Sequence, residues 1–116
     1  MIICVPVDGG SVGPHWGRAP QVAIAKVEDG QIASWDEYDV GWDVSHDLPN
    51  HGSHHANIAR FLLGQQVTVV VAGGMGPPMV NMLEKMGIDV WLQASGDARE
   101  CVAAVVAATK QEAEGR

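Results

Sequence analysis

The chain has 116 residues, 14 of them acidic and 7 basic, for a net charge of −7 with neutral histidines. That length fits one domain, 47% apolar residues can fill a core, and 18% charged residues are too few for a disordered polyelectrolyte. The acidic balance, with positive charges scattered from Arg18 to Arg116 rather than clustered, argues against nucleic acid or an anionic membrane as partner.

In chain order, Met1 to Val7 is an apolar run that reads as a central strand, and Asp8-Gly9-Gly10 turns it. Because the first residues already form a strand, no secretory leader is expected. The longest apolar run, 67–76, is too short and too glycine-rich to span a bilayer, so a soluble, cytoplasmic protein is expected. Residues 11–20 lack periodicity and read as a loop. Gln21 to Val27 and Gln31 to Tyr38 flank Asp29-Gly30, the signature of a two-residue hairpin turn. Strict alternation would put Ile32, Ser34 and Asp36 on one face and Ala33, Trp35 and Glu37 on the other.

Residues 40–52 read as a long polar loop, with Trp42 as an anchor. With few apolar side chains to pin it, the segment 43–55 is expected to become ordered on ligand binding. Ser53 is placed as the N-cap of a helix running to Leu63 and stopped by Gly64. Val67 to Ala72 is a near-continuous β-branched run, as suits a strand covered on both faces. After Gly73-Gly74-Met75-Gly76, the pair Pro77-Pro78 opens a helix with Met79, Leu83 and Met86 on one face, ended by Gly87. Val90 to Leu92 reads as a short strand. Asp97 with Glu100 resembles a capping box for a last helix carrying Val102, Val105 and Thr109 on one side. The sum is one α/β domain over residues 1–110, with a mixed five-stranded sheet and crossover helices; 111–116 are expected to fray.

Ligands of α/β sheets gather at the carboxyl ends of strands, here the loops 9–19, 73–77 and 94–97. Folded over that edge, the segment 46–55 would bring His51, His54 and His55 beside His15, Trp16 and Arg18. Imidazoles ligate iron, zinc, nickel or copper. Equally, these histidines read as a solvated polar loop, none in a clear core position, and Gly52 and Ser53 count against His51 and His55 sharing a helix. The amides of Gly73, Gly74, Met75 and Gly76, and those of Ser95-Gly96, suit an anion at a helix N-terminus; steric turns would explain the same glycines. Arg18 beside Trp16 suits an anion with an extended face, or merely covers a core tryptophan. Cys4 and Cys101 read as buried free thiols and supply no iron–sulfur ligand set. Asp8 with His15 is the thin case for a hydrolase, since no nucleophile elbow or paired carboxylates appear.

Ile3-Cys4-Val5-Pro6-Val7-Asp8, Pro14-His15-Trp16-Gly17-Arg18-Ala19, the helix after His54-His55 and Ala72-Gly73-Gly74-Met75-Gly76 run in order over about residues 1–110. Together they resemble the dinitrogenase iron–molybdenum cofactor biosynthesis family. The resemblance implies a ribonuclease H-like fold without that enzyme's acidic catalytic set: three antiparallel strands, then two parallel ones. It implies a non-enzymatic carrier or store of an anionic metal–sulfur cluster, as members hold iron–molybdenum cofactor, its iron–sulfur precursor or a molybdenum–copper sulfide cluster. Cluster donor or acceptor proteins would be its partners. By resemblance the cluster site comprises His15, Arg18, His51, His54, His55, Gly73, Gly74 and Gly76, with His15, His51, His54 and His55 as the expected metal ligands; the loop and helix-start readings add Trp16, Met75, Ser95 and Gly96 as expected cluster-binding residues. Unlike some relatives, the segment 46–55 has no cysteine, and no further carrier domain is expected to be fused to it. The competing expectation is a regulatory or scaffold domain that binds a protein partner or small anion without metal.

Overall fold

The computed structural model describes residues 1–46 and 51–114, and the side chains of these other than 45, 46, 51–53 and 110–114. The five expected strands are present: β1 (Ile2–Asp8), β3 (Gln21–Glu28), β4 (Gln31–Asp39), β5 (Val69–Val71) and β6 (Asp89–Trp91). The sheet order is β4-β3-β1-β5-β6; β3 is antiparallel to β1 and β4, whereas β5 and β6 run parallel to β1. A sixth strand, β2 (Ser11–Val12), pairs back on β1 inside the segment expected to be loop, and Trp16–Arg18 follow as a 3₁₀ turn.

Strand faces sort the core into two layers, because successive side chains of a strand point to opposite sides. Cys4, Val22, Ile24 and Val70 meet Ile58 and Leu62 of α2 (His51–Gly64) and Met79 and Leu83 of α3 (Pro77–Lys85). Ile3, Val5, Ala23, Ala25 and Val71 meet Val102, Val105 and Val106 of α4 (Ala98–Glu114). Sandwiched between helices, β1 and β3 read as continuous apolar runs rather than alternating ones. No described helix is long and apolar enough to cross a membrane.

The Asp29-Gly30 hairpin forms as expected, with φ of 54° and 76° at the two central residues, the positive values a type I′ turn needs. Strict alternation in β4 fails. The register steps from Val27↔Ile32 to Lys26↔Ser34, so Ala33 is an extra, bulged residue. Ile32 and Trp35 therefore both pack on the α4 face, where Arg99 lies 4.8 Å over the Trp35 ring.

The expected loop 40–52 is interrupted by a short helix, α1 (Trp42–His46), and Trp42 is buried as the anticipated anchor. The expected ordering of 43–55 on binding partly concerns residues 47–50, which lie outside the described residues. Helix α2 begins at His51, two residues before the N-cap assigned to Ser53, so His51 and His55 do share a helix. It is not stopped by Gly64 either. Gln66 takes φ 60°, its amide donates to Leu63 O and that of Val67 to Leu62 O, the double bond of a Schellman cap. Carbonyl satisfaction outweighs the modest cost of a left-handed non-glycine residue there. At the last helix, Asp97 Oδ2 accepts from the Glu100 amide at 2.9 Å, the expected cap. Helix α4 continues to Glu114, four residues beyond the expected limit; 115 and 116 lie outside the described residues.

Candidate functional site

Two loops remote in sequence are stitched together at one end of the sheet. His15 bridges Gly74 in parallel fashion, and the Trp16 amide donates to Gly74 O at 3.1 Å. The glycines of the turn differ in what requires them. A Cβ on Gly73 would lie 3.2 Å from Ala94 O and 3.4 Å from Pro14 O, and one on Gly74 would lie 3.2 Å from Pro14 O. These two are glycine because another backbone passes close by. Gly76 has φ −70° and ψ 151°, which any residue adopts, and its nearest neighbour to a Cβ is Pro78 Cδ at 3.9 Å. Neither conformation nor packing requires glycine there. Its missing side chain leaves open space.

That space belongs to a cavity of about 580 Å³ between the 3₁₀ turn, α2 and the start of α3. Its polar lining comes from His15, Arg18, His54, His55 and the backbone at Gly74, Met75 and Gly76. Trp16, Pro78 and Met79 form its apolar part. Among the described residues no carboxylate and no thiol lines it. The lining is thus rich in donors and carries the Arg18 cation, although the whole chain is acidic.

The helix α3 terminus is less of an anion site than its position suggests. Its first two residues are prolines without N–H groups, and the amides of Met79 and Val80 both donate to Gly76 O at 3.1 Å. What remains are the Met75 and Gly76 amides, which have no hydrogen-bond partner among the described residues. Trp16 borders the cavity as well. Its ring is fully buried, edge-on to Trp42 with centroids 5.0 Å apart, and its buried Nε1–H has no acceptor among the described residues. An unsatisfied buried N–H is costly and uncommon, which fits a wall that a ligand completes.

The histidines do not act alike. His54, expected to be solvated, is 2% exposed. Its Nε2 lies 2.9 Å from Gly17 O and must carry the hydrogen, since a carbonyl only accepts; that bond ties α2 to the 3₁₀ turn. The desolvation expected to keep a histidine outside is offset by this partner. His55 is half-buried, its ring 6.0 Å from that of His54, and His15 is exposed. The His51 side chain lies outside the described residues. Among the described residues no three His, Cys, Asp or Glu side chains converge as a metal-ion site.

Three expected site residues stand away from the cavity lining. The Gly73 carbonyl accepts from Gln93, the Gly96 carbonyl from Val12, and the Ser95 carbonyl from Cys101 Sγ at 3.2 Å. Ser95 and Gly96 thereby join the β1–β2 turn to α4. Asp8 sits in that same turn, paired with Ser11, and does not line the cavity with His15. Cys4 is buried in the layer beneath α2 and α3, where desolvation pushes its thiol far up from its ordinary value. Cys101 packs on the α4 face. Sequence reasoning missed the Gly17 carbonyl and Pro78. The double proline was the available signal for the second, whereas nothing local marks a carbonyl that a histidine 37 residues away will reach.

Comparison with known proteins places this arrangement among relatives. MJ0580, an uncharacterized protein of Methanocaldococcus jannaschii, is 23% identical over 104 residues, covering 88% of this chain and 82% of its own. The apo form of the orange protein from Desulfovibrio gigas has the same fold with a TM-score of 0.74 and 25% identity, over 92% of this chain and 88% of that one. The crystal structure of PH0822 matches with a TM-score of 0.74 over 93% and 92% of the two chains, at 17% identity, a likeness of fold alone. The family model for dinitrogenase iron-molybdenum cofactor matches residues 1–108. The chain belongs to the dinitrogenase iron-molybdenum cofactor family, a family associated with binding or carrying metal–sulfur clusters.

Proposed function

We propose that residues 1–110 form one cluster-binding unit, and that its cavity takes an anionic metal–sulfur cluster as cargo. Iron–molybdenum, iron–sulfur and molybdenum–copper sulfide clusters share the needed chemistry, a compact anion with sulfide acceptors on its surface. The observation that carries this reading is the donor-lined cavity, in which no carboxylate or thiol appears among the described residues. Arg18, the Met75 and Gly76 amides and the Trp16 indole would neutralise and hydrogen-bond the cluster, while His15 and His55 are the accessible imidazoles for a metal. His54 serves better as the tie that holds the 3₁₀ turn, and His51 remains a candidate by its place in the first turn of α2. Its role on this reading is carriage between donor and acceptor proteins without turnover, supported by the family's association with binding or carrying such clusters.

The test is anaerobic titration with tetrathiomolybdate, followed by gel filtration, absorption and metal analysis. Molybdenum co-eluting with folded protein supports the reading; its complete loss on the column rejects it. The absence of three converging ligand side chains among the described residues favours one alternative, a domain that takes a small anion without metal. Under that alternative phosphate competes for the cavity at equal concentration.

Two substitutions separate fold from binding. Gly76→Ala should leave stability within about 0.5 kcal/mol, because the lower entropy of the unfolded chain and the poorer N-cap nearly cancel. The new methyl would nevertheless enter the cavity, so tetrathiomolybdate retention should fall. His54→Ala should cost about 1–3 kcal/mol by stranding the Gly17 carbonyl, read as a lowered urea midpoint. His55→Ala should cost no more than about 0.5 kcal/mol and act on binding instead.

A further inference from the structure

Strand β6 is one edge of the sheet, and a second cavity of about 520 Å³ runs along it, between the strand and α3. In a parallel pair, alternate residues of a strand bond to the neighbour. Asp89 N donates to Thr68 O, and Trp91 O accepts from Ala72 N, so these two residues face β5. Val90 accordingly turns its N–H and C=O to the open edge. Val80 and Glu84, one helical turn apart on α3, form the far wall, and Leu92 is 42% exposed beyond the strand. Glu84 and Asp89 are exposed and make no ion pair or side-chain hydrogen bond among the described residues.

The opposite edge, β4, is protected differently. It carries a bulge, and two of its acids are engaged: Gln21 Nε2 donates to Asp39 Oδ1 at 2.6 Å and Trp35 Nε1 to Glu37 Oε2 at 3.2 Å. Bulges and satisfied charges are how exposed edges resist pairing. The β6 edge has an open groove of mixed polar and apolar lining, with unengaged carboxylates, instead.

We infer that the β6–α3 groove docks an extended segment of a partner protein that bears basic residues. The segment adds antiparallel or parallel to β6 through the outward Val90 N–H and C=O, lays apolar side chains against Val80 and Leu92, and sets a lysine or arginine beside Glu84. Charge complementarity selects this occupant: a second copy would bring the same carboxylates together on a chain of net charge −7. The inference is independent of what the first cavity binds, although α3 borders both, with Met79 on one and Val80 and Glu84 on the other.

The test uses the full chain, ¹⁵N-labelled, with the peptides acetyl-Val-Lys-Val-Lys-Val amide and acetyl-Val-Glu-Val-Glu-Val amide. The lysine peptide should move the amide resonances of Glu84, Val90 and Leu92, less so as salt is added, and the glutamate peptide should not. Glu84→Lys, an exposed helix position, should weaken the lysine peptide about 10-fold. Val90→Pro removes the outward N–H, together with part of the Val90 packing on the core, and in a variant shown to be folded should weaken it as well, while retaining the bonds to β5. Unmoved resonances, equal shifts along β4, or undiminished binding to the folded Glu84→Lys variant would overturn the inference. So would self-association that moves the same resonances on concentrating the protein alone, which assigns the edge to a second copy.

Discussion

Trp16→Ala is expected to lower the stability of the fold by about 3–5 kcal/mol, the range for deleting a fully buried large aromatic. Trp16 is fully buried, and the 3₁₀ turn that presents His15 and Arg18 is pinned to the core through it. Its ring begins an edge-to-face series, with Trp42 5.0 Å away and Phe61 5.9 Å beyond Trp42. Each such pair adds roughly 0.5–1.5 kcal/mol to the burial itself. Urea unfolding followed by circular dichroism should show a lower midpoint with an unchanged slope. A shift below about 1 kcal/mol would mean that the turn is not anchored as described. Trp16→Phe probes the other role of this residue. It keeps most of the packing but removes an N–H that no group among the described residues accepts, so the lost donor itself should cost the fold little. A drop in tetrathiomolybdate affinity in that folded variant would assign the indole hydrogen to the ligand.

Arg18→Ala should act in the opposite way, leaving stability within about 0.5 kcal/mol because the side chain is exposed. Its effect should fall on binding. Losing a charge-assisted contact of roughly 1.5–3 kcal/mol weakens anion affinity about 10- to 100-fold. Arg18 is the permanently charged group in the cavity lining, and it opposes a whole-molecule charge of −7 that repels an incoming anion. Added salt screens the long-range repulsion but weakens the contact too, so affinity is best compared at one ionic strength. Arg18→Lys should restore part of the loss, since the charge returns without the planar fork. Anaerobic titration with absorption and metal analysis measures this. A folded Arg18→Ala variant that binds like the parent would remove Arg18 from the site.

Much of the architecture was legible in the sequence because its signals are local. Asp29-Gly30 can supply two positive φ values, the β-branched run at 67–72 can only be comfortable inside a sheet, and Pro77-Pro78 can only open a helix. The order of these elements, with the motifs at 14–19 and 72–76, also marked the family and the edge of the sheet where the cavity lies. What escaped was each feature set by a partner far along the chain. Nothing near Ala33 announces the bulge that turns Trp35 toward α4, since the cross-strand register creates it. The run of histidines at 51, 54 and 55 could not separate His54 from His55 in role. A carbonyl at Gly17, brought near only by folding, makes burial of one tolerable and leaves the other facing the cavity. Likewise, three glycines in one turn look equivalent on paper. Two are required by the backbone at Pro14 and Ala94 passing within van der Waals reach, and the third is required by nothing in the protein, a distinction that exists only once the two loops have met in space.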